Sequence, residues 1–295
     1  MVDAELLAQC ATWMGQHALA LFFTMLALTL AATCAGWWLV RRYNGPAFRI
    51  SQVPARFCSL RVAVGSAVMV IAIAVFAALA SALGAGDALG RADQTLTDAL
   101  RSSVPTAVVQ VFAALTHLGD TATLTGLCIG IATVLVAAAQ RWLAVGWVVA
   151  VAGNGVLNHT LKQIFDRIRP LGLDGQATAE GYSFPSGHSS GSVVAFGMLA
   201  YLALRLLPLR WHLPALILAV TLAFSVGNSR LFLRVHFASD VIAGFATGTA
   251  WLALCVTMIE LVRCYQRRDR KRRPLTSGPG AQHQHRVGST ESERV

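Results

Sequence analysis

Ser229-Arg230-Leu231-Phe232-Leu233-Arg234-Val235-His236-Phe237-Ala238-Ser239-Asp240 closes one apolar segment and opens the next, and the rest of the chain is arranged around it. Its polar residues fall where a membrane-crossing helix meets water. His236 and Asp240 are four apart, so on a helix they share a face, one turn from each other. A carboxylate one turn from an imidazole accepts from one ring nitrogen, which fixes the tautomer and leaves the other nitrogen a free lone pair. Arg230, six residues before the histidine, can hold an anion against it. Taken alone, the stretch reads equally well as an interfacial helix start with snorkelling arginines and a capping serine.

Working outward, the 295 residues are 55% hydrophobic and only 13% charged. A soluble domain averages about 25% charged residues, so this depletion points to a polytopic membrane protein. The net charge of +10 does not imply nucleic acid as a partner, because the arginines cluster in short loops and one tail between apolar runs. That is the pattern by which a membrane protein orients itself. The six cysteines show no CxxC or Cys/His spacing, so neither a disulfide nor a zinc site is indicated.

Seven apolar runs suit the roughly 20 residues that a crossing helix needs. They cover about Ala18–Val40, Val62–Gly84, Thr121–Ala139, Trp142–Thr160, His188–Leu206, Leu213–Gly227 and Phe237–Val262. Acids rather than bases precede the first run, so it reads as a retained helix with its N-terminus outside and not as a cleaved signal peptide. The segment Val104–Leu118, interrupted by Pro105 and His117, predicts a helix lying on or dipping into the outer interface. This topology puts 17 of the 24 Lys and Arg on the cytoplasmic side, together with the C-terminus. The basic run Arg267–Arg273 is read as touching anionic headgroups, and the Gly/Ser/Gln/His-rich end, with His283 and His285, as a disordered tail rather than a metal site.

Two further polar stretches share the outer side. In Lys162-Gln163-Ile164-Phe165-Asp166-Arg167-Ile168-Arg169-Pro170, Lys162 and Arg169 are two helical turns apart, so both cations can share one face. Cations at this surface need something to neutralise, and phosphate is the natural partner. In Ser183-Phe184-Pro185-Ser186-Gly187-His188, Ser186 can donate its hydroxyl and Gly187 allows close backbone approach. The free amides of the next helix add to an anion site there. Asp120, at another outer helix start, reads more readily as a helix cap than as a substrate contact.

K-x6-RP, PSGH and SR-x5-H-x3-D, in this order and each beside an apolar run, specify eleven residue identities. On these motifs the sequence resembles the type 2 phosphatidic acid phosphatase (PAP2) superfamily, over about Val62 to Val262. The resemblance implies an all-α fold with a six-helix membrane core, 62–262; the extra N-terminal transmembrane helix and basic loop, 1–61, and the basic tail, 263–295, read as disordered, lie outside it. It implies that His236 is the nucleophile, Asp240 its orienting partner and His188 the acid that later activates water. Lys162, Arg169, Ser186, Gly187 and Arg230 would hold the phosphate oxygens, with no metal or other cofactor. The implied activity is that of a lipid phosphatase on the periplasmic face of a bacterial inner membrane. Its substrate would be an undecaprenyl diphosphate, a phosphatidate or a phosphatidylglycerophosphate. A phosphotransferase using a polyprenyl diphosphate donor fits the same residues. A transporter or scaffold fits the spans but leaves both histidines and Asp240 without work.

Overall fold

The computed structural model describes residues 2–44, 55–84, 88–170 and 181–272. Within them lie ten α-helices and no strand: α1 Val2–Gln16, α2 Ala18–Asn44, α3 Ala55–Gly84, α4 Ala88–Ser103, α5 Thr106–Thr116, α6 Thr121–Ala137, α7 Arg141–Phe165, α8 Gly187–Leu206, α9 His212–Phe232 and α10 Ala238–Arg272. Single 3₁₀ turns, His117–Gly119 and Leu209–Trp211, lead into α6 and α9. Helices satisfy every backbone hydrogen bond within one segment, which suits a chain this apolar, since lipid offers its backbone no partner.

Among the described residues, five helices are long and apolar enough to cross a membrane: Ala18–Arg42, Leu60–Leu83, Gly187–Leu206, Leu209–Phe232 and Ala238–Gln266. Two of the seven expected spans fall outside that count. Helix α6 has 17 residues, about 25 Å of helix, and α7 is long but carries Asn154, Asn158, His159, Lys162 and Gln163. Both nevertheless run the length of the bundle, α7 packed between α6, α8 and α10. The polar face of α7 explains its low hydropathy, because Asn154 is buried inside the protein.

Ring contacts establish the alternation of the helices. Phe22, early in α2, packs on Phe112 of α5 and Phe232 at the end of α9, whereas Trp37, late in α2, meets His212 at the start of α9. Arg61, early in α3, pairs with Glu260, late in α10, at 2.9 Å, whereas Phe76, late in α3, packs on Phe165 and Phe184. All three motifs therefore lie at one end of the bundle. The core between the ends is Leu135, Leu143, Trp147, Val194, Met198 and Leu202, from α6, α7 and α8. The Trp147 indole donates to the Cys128 carbonyl at 2.9 Å.

Several expectations need correction. The segment expected as one interfacial helix holds α5, and α4 precedes it across a bend of 117° where Pro105 breaks the run. Helix α4 buries Asp93, Leu96, Thr97 and Leu100, the i, i+3, i+4, i+7 face of an amphipathic helix. Helix α1 was not foreseen; at 15 residues it is too short to cross, and it buries Ala11 against Leu96 and Leu100. The last helix runs on to Arg272, so part of the tail continues the span, as Arg and Lys favour helix. Cys264 is disulfide-bonded, a pairing that sequence spacing does not show. Asp87 and the tail residues 273–295, with His283 and His285, lie outside the described residues, as do the side chains of 267–272.

Candidate active site

His236 lies in the short link before α10 and is 2% exposed. Asp240 stands in the first turn of that helix and reaches back to accept the Phe237 amide at 2.9 Å. A carboxylate at this position caps the helix start and gains from its dipole. The pair therefore meets across a helix start rather than along a helix face. Nδ1 of His236 is 3.5 Å from Asp240 Oδ2, too long for a good hydrogen bond, and the Ser183 hydroxyl fills the gap. Ser183 lies 3.3 Å from Nδ1 and donates to Asp240 Oδ2.

Asp240 is itself fully buried and would be costly to ionise alone. Arg167 supplies the countercharge. One of its nitrogens donates to Asp240 Oδ1 at 2.6 Å and to Ser239 at 2.7 Å, the other to Asp93 Oδ2 at 2.8 Å. Its guanidinium also lies 4.4 Å from the centre of the Phe237 ring. Asp93 in turn accepts from the amide and hydroxyl of Ser239, at the start of α10. Two buried carboxylates thus share one planar cation, and α4 is tied to the helix that carries Asp240.

On the other side of the ring, Nε2 of His236 accepts from Arg169 at 3.0 Å. Arg169 is held in turn by the carbonyls of Gly181 at 2.8 Å, Val235 at 2.9 Å and Tyr182 at 3.3 Å. Lys162 donates to the same Tyr182 carbonyl at 2.8 Å. The two cations meet there by a route other than a shared helical face. Asp166 takes a left-handed conformation, φ 44°, ends α7 and turns the chain so that Arg169 folds back on Lys162. Arg230 donates to Thr116 of α5 at 2.7 Å, and its Nε is buried with no partner among the described residues. Burial pushes His236 down to about 3, against the upward pull of its Asp240 contact and helped by the Arg169 charge. The ring is neutral at physiological pH, with Nε2 as its lone pair.

His188 opens the helix that follows the PSGH stretch. Its Nε2 is 2.9 Å from Asp120 Oδ1, and the other oxygen of that carboxylate is 2.8 Å from Nδ1 of His117. Asp120 stands at the N-cap of α6 but makes no capping bond with its side chain. Its carboxylate serves the histidines, so the cap reading is corrected. Burial raises its pKa, but the bonds to His117 and His188 outweigh that and bring it below the ordinary carboxylate value. Arg230 lies within electrostatic reach of both His188 and His236.

Ser186 differs from expectation. It is fully buried, and its oxygen caps α8 by accepting the Ser189 amide at 3.4 Å and the Ser189 hydroxyl at 2.9 Å. A serine before a helix gains this bond locally, so its hydroxyl points into the helix start instead of outward. Its own amide donates to the Asp240 carbonyl at 3.0 Å, joining the two histidine-bearing segments. The amides of Gly187 and His188 have no acceptor among the described residues, as at any helix start. Gly187 is needed for packing, since a Cβ would come within 2.9 Å of Asn158 Oδ1. Sequence reading missed Arg167, Ser183 and Asp93. The first two stood inside the quoted stretches, but nothing in their spacing tells an inward side chain from an outward one.

A helical membrane bundle that closes over two carboxylate-held histidines and four cations has the build of an enzyme acting on a phosphate ester. Residues 143–263 match the model of the PAP2 superfamily. Over 141 residues the chain is 32% identical to phosphatidylglycerophosphatase B of Bacillus subtilis, covering 47% of this chain and 69% of that protein. Over 190 residues it is 33% identical to lipid A 1-phosphatase of Rhizobium etli, covering 55% of this chain and 75% of that protein. The fold is similar to the crystal structure of a transmembrane PAP2 type phosphatidylglycerolphosphate phosphatase from Bacillus subtilis, with a TM-score of 0.59 and 27% identity over 70% of this chain and 98% of that one. This protein is a multi-pass membrane phosphatase. It belongs to the PAP2 superfamily.

Proposed function

We propose that the chain removes the terminal phosphate of a membrane lipid at the periplasmic face of a bacterial inner membrane, through a phosphohistidine on His236. The observation that carries this reading is the environment of His236. Nδ1 faces the Ser183–Asp240 pair while Nε2 lies neutral beneath Arg169. An incoming phosphate takes Arg169 away from Nε2 and bridges it to Lys162, Arg230 and the free amides of Gly187 and His188. Those donors face the equatorial oxygens, where charge accumulates in the transition state.

Nε2 then attacks phosphorus as the bond to the leaving oxygen breaks, and His188 protonates that oxygen. Asp240 balances the positive charge on the phosphorylated ring. In the second step neutral His188 takes a proton from water, whose oxygen attacks phosphorus and returns His236 with inorganic phosphate. The cations and amides supply the charge stabilisation, so the scheme requires no metal.

The named relatives support a lipid with a terminal phosphate as substrate; the lipids to assay are the phosphomonoesters phosphatidylglycerophosphate and phosphatidate and the phosphoanhydride undecaprenyl diphosphate. The distribution of cations supports the periplasmic face. Only seven of the 24 Lys and Arg lie at the motif end by the sequence-derived topology. Four of those, Lys162, Arg167, Arg169 and Arg230, are engaged around the histidines.

Rapid quench with an aryl phosphate tests the two steps. His188→Ala should accumulate an acid-labile phosphoprotein, because water lacks its base, while His236→Ala should form none. Phosphate found on His188 would refute the assignment.

A further inference from the structure

At the end of the bundle away from the histidines, a cleft of about 360 Å³ opens between the α6–α7 turn, the end of α8 and the end of α10. Arg141 of α7, Arg205 of α8 and Arg263 of α10 rim it. Val145, Met258 and Val262 give it an apolar lining. Along α7, Arg141 is 21 residues from Lys162, about 31 Å at the α-helical rise. That is the thickness of a bilayer's hydrocarbon core, so the cleft opens in the opposite leaflet from the catalytic site.

The charge of this rim is not balanced from within. The one acid nearby among the described residues, Glu260, already accepts from Arg61 at 2.9 Å and Tyr201 at 2.6 Å, and stands 3.7 Å from Arg205. Nε of Arg205 is buried with no hydrogen-bond partner, and Arg141 has none among the described residues. A buried guanidinium donor without an acceptor is unfavourable, and a phosphate oxygen would satisfy it. Trp142, 71% exposed beside Arg141, suits the headgroup level, where indoles collect.

We propose that this cleft binds an anionic phospholipid, its phosphate among Arg141, Arg205 and Arg263 and an acyl chain along Val145, Met258 and Val262. Basic pockets between helices on the cytoplasmic side are suited to such headgroups. The lipid clamps α7, α8 and α10, whose other ends carry Lys162, His188 and Asp240.

The test uses the purified full chain in detergent with phosphatidylglycerol, a phosphodiester that a phosphomonoesterase leaves intact. Native mass spectrometry should show phosphatidylglycerol retained at least about tenfold better than phosphatidylcholine, with millimolar inorganic phosphate and vanadate failing to displace it. Arg141→Gln and Arg205→Gln should each weaken retention about fivefold, the factor for one arginine at a lipid surface. Hydrolysis of a soluble aryl phosphate by Arg141→Gln should stay at the parent rate. Equal retention of both lipids, or undiminished retention in Arg141→Gln, overturns the proposal. Displacement by vanadate alone would put the lipid at the catalytic site, and displacement by inorganic phosphate would make the cleft a free-anion site. Either result overturns it too. Arg141 has no partner in the described fold, so its variant carries the test should Arg205→Gln fail to fold.

Discussion

Replacing Arg167 with Gln removes a cation bonded to two buried carboxylates, Asp93 and Asp240. Their side chains are 4% and 0% exposed, so water cannot take the place of the guanidinium. Breaking a buried ion pair from one side costs about 3–5 kcal/mol, because it leaves charge uncompensated. Against a typical stability of about 5–15 kcal/mol the variant should fold but unfold at lower temperature. Catalysis should suffer separately. Asp240 without Arg167 loses the guanidinium that holds it in place beneath His236, and losing one such electrostatic element costs about 10²–10³ in kcat. Arg167→Lys keeps the charge but cannot reach both carboxylates with one planar fork, and should recover little. The assay pairs thermal unfolding in detergent with initial rates on phosphatidate. If Arg167→Lys matches the parent protein in both, the shared-fork argument is wrong. A double-mutant cycle with Asp93→Asn should show coupling of about 1.5–3 kcal/mol in stability, as for a charged hydrogen bond.

Because burial pushes His236 down to about 3, the ring proposed as nucleophile is unprotonated through the neutral range. The acid limb of kcat/KM should therefore show no loss near pH 6.5 due to this ring; rescue of a pH 6.5 limb in a His236 analogue of lower basicity would contradict it. Removing the Arg169 charge raises the His236 value, so Arg169→Met should move any His236 titration seen by NMR upward. Asp120→Asn should cut turnover of an alkyl monophosphate by about 10²–10⁴, the range for general acid–base catalysis, and of an aryl phosphate far less; equal losses on both would leave Asp120 a purely structural residue. In Gly244→Ala the new methyl would meet the Ser186 carbonyl at 2.5 Å, a backbone atom that cannot turn aside. That variant should lose both heat resistance and activity, measured by unfolding in detergent and phosphate release.

The sequence alone determined that this chain is a helical membrane protein, and it placed the three motifs at one end of the bundle. Hydropathy and arginine placement are summed over many residues, so they survive local error. Motif spacing named His236, His188, Asp240, Lys162, Arg169 and Arg230 because those identities are demanded by chemistry. What only the tertiary structure decided is how each is held. Asp166 adopts a left-handed turn that ends α7 and brings Arg169 back onto His236. Ser186 turns inward to cap α8, while Asp120 leaves its cap position for two histidines. Arg167 and Asp93 are 74 residues apart and meet only because α4 folds against the start of α10. Such partnerships follow from the direction in which a side chain leaves the backbone and from which helix packs opposite. Neither quantity is local in the chain, so no spacing rule contains it.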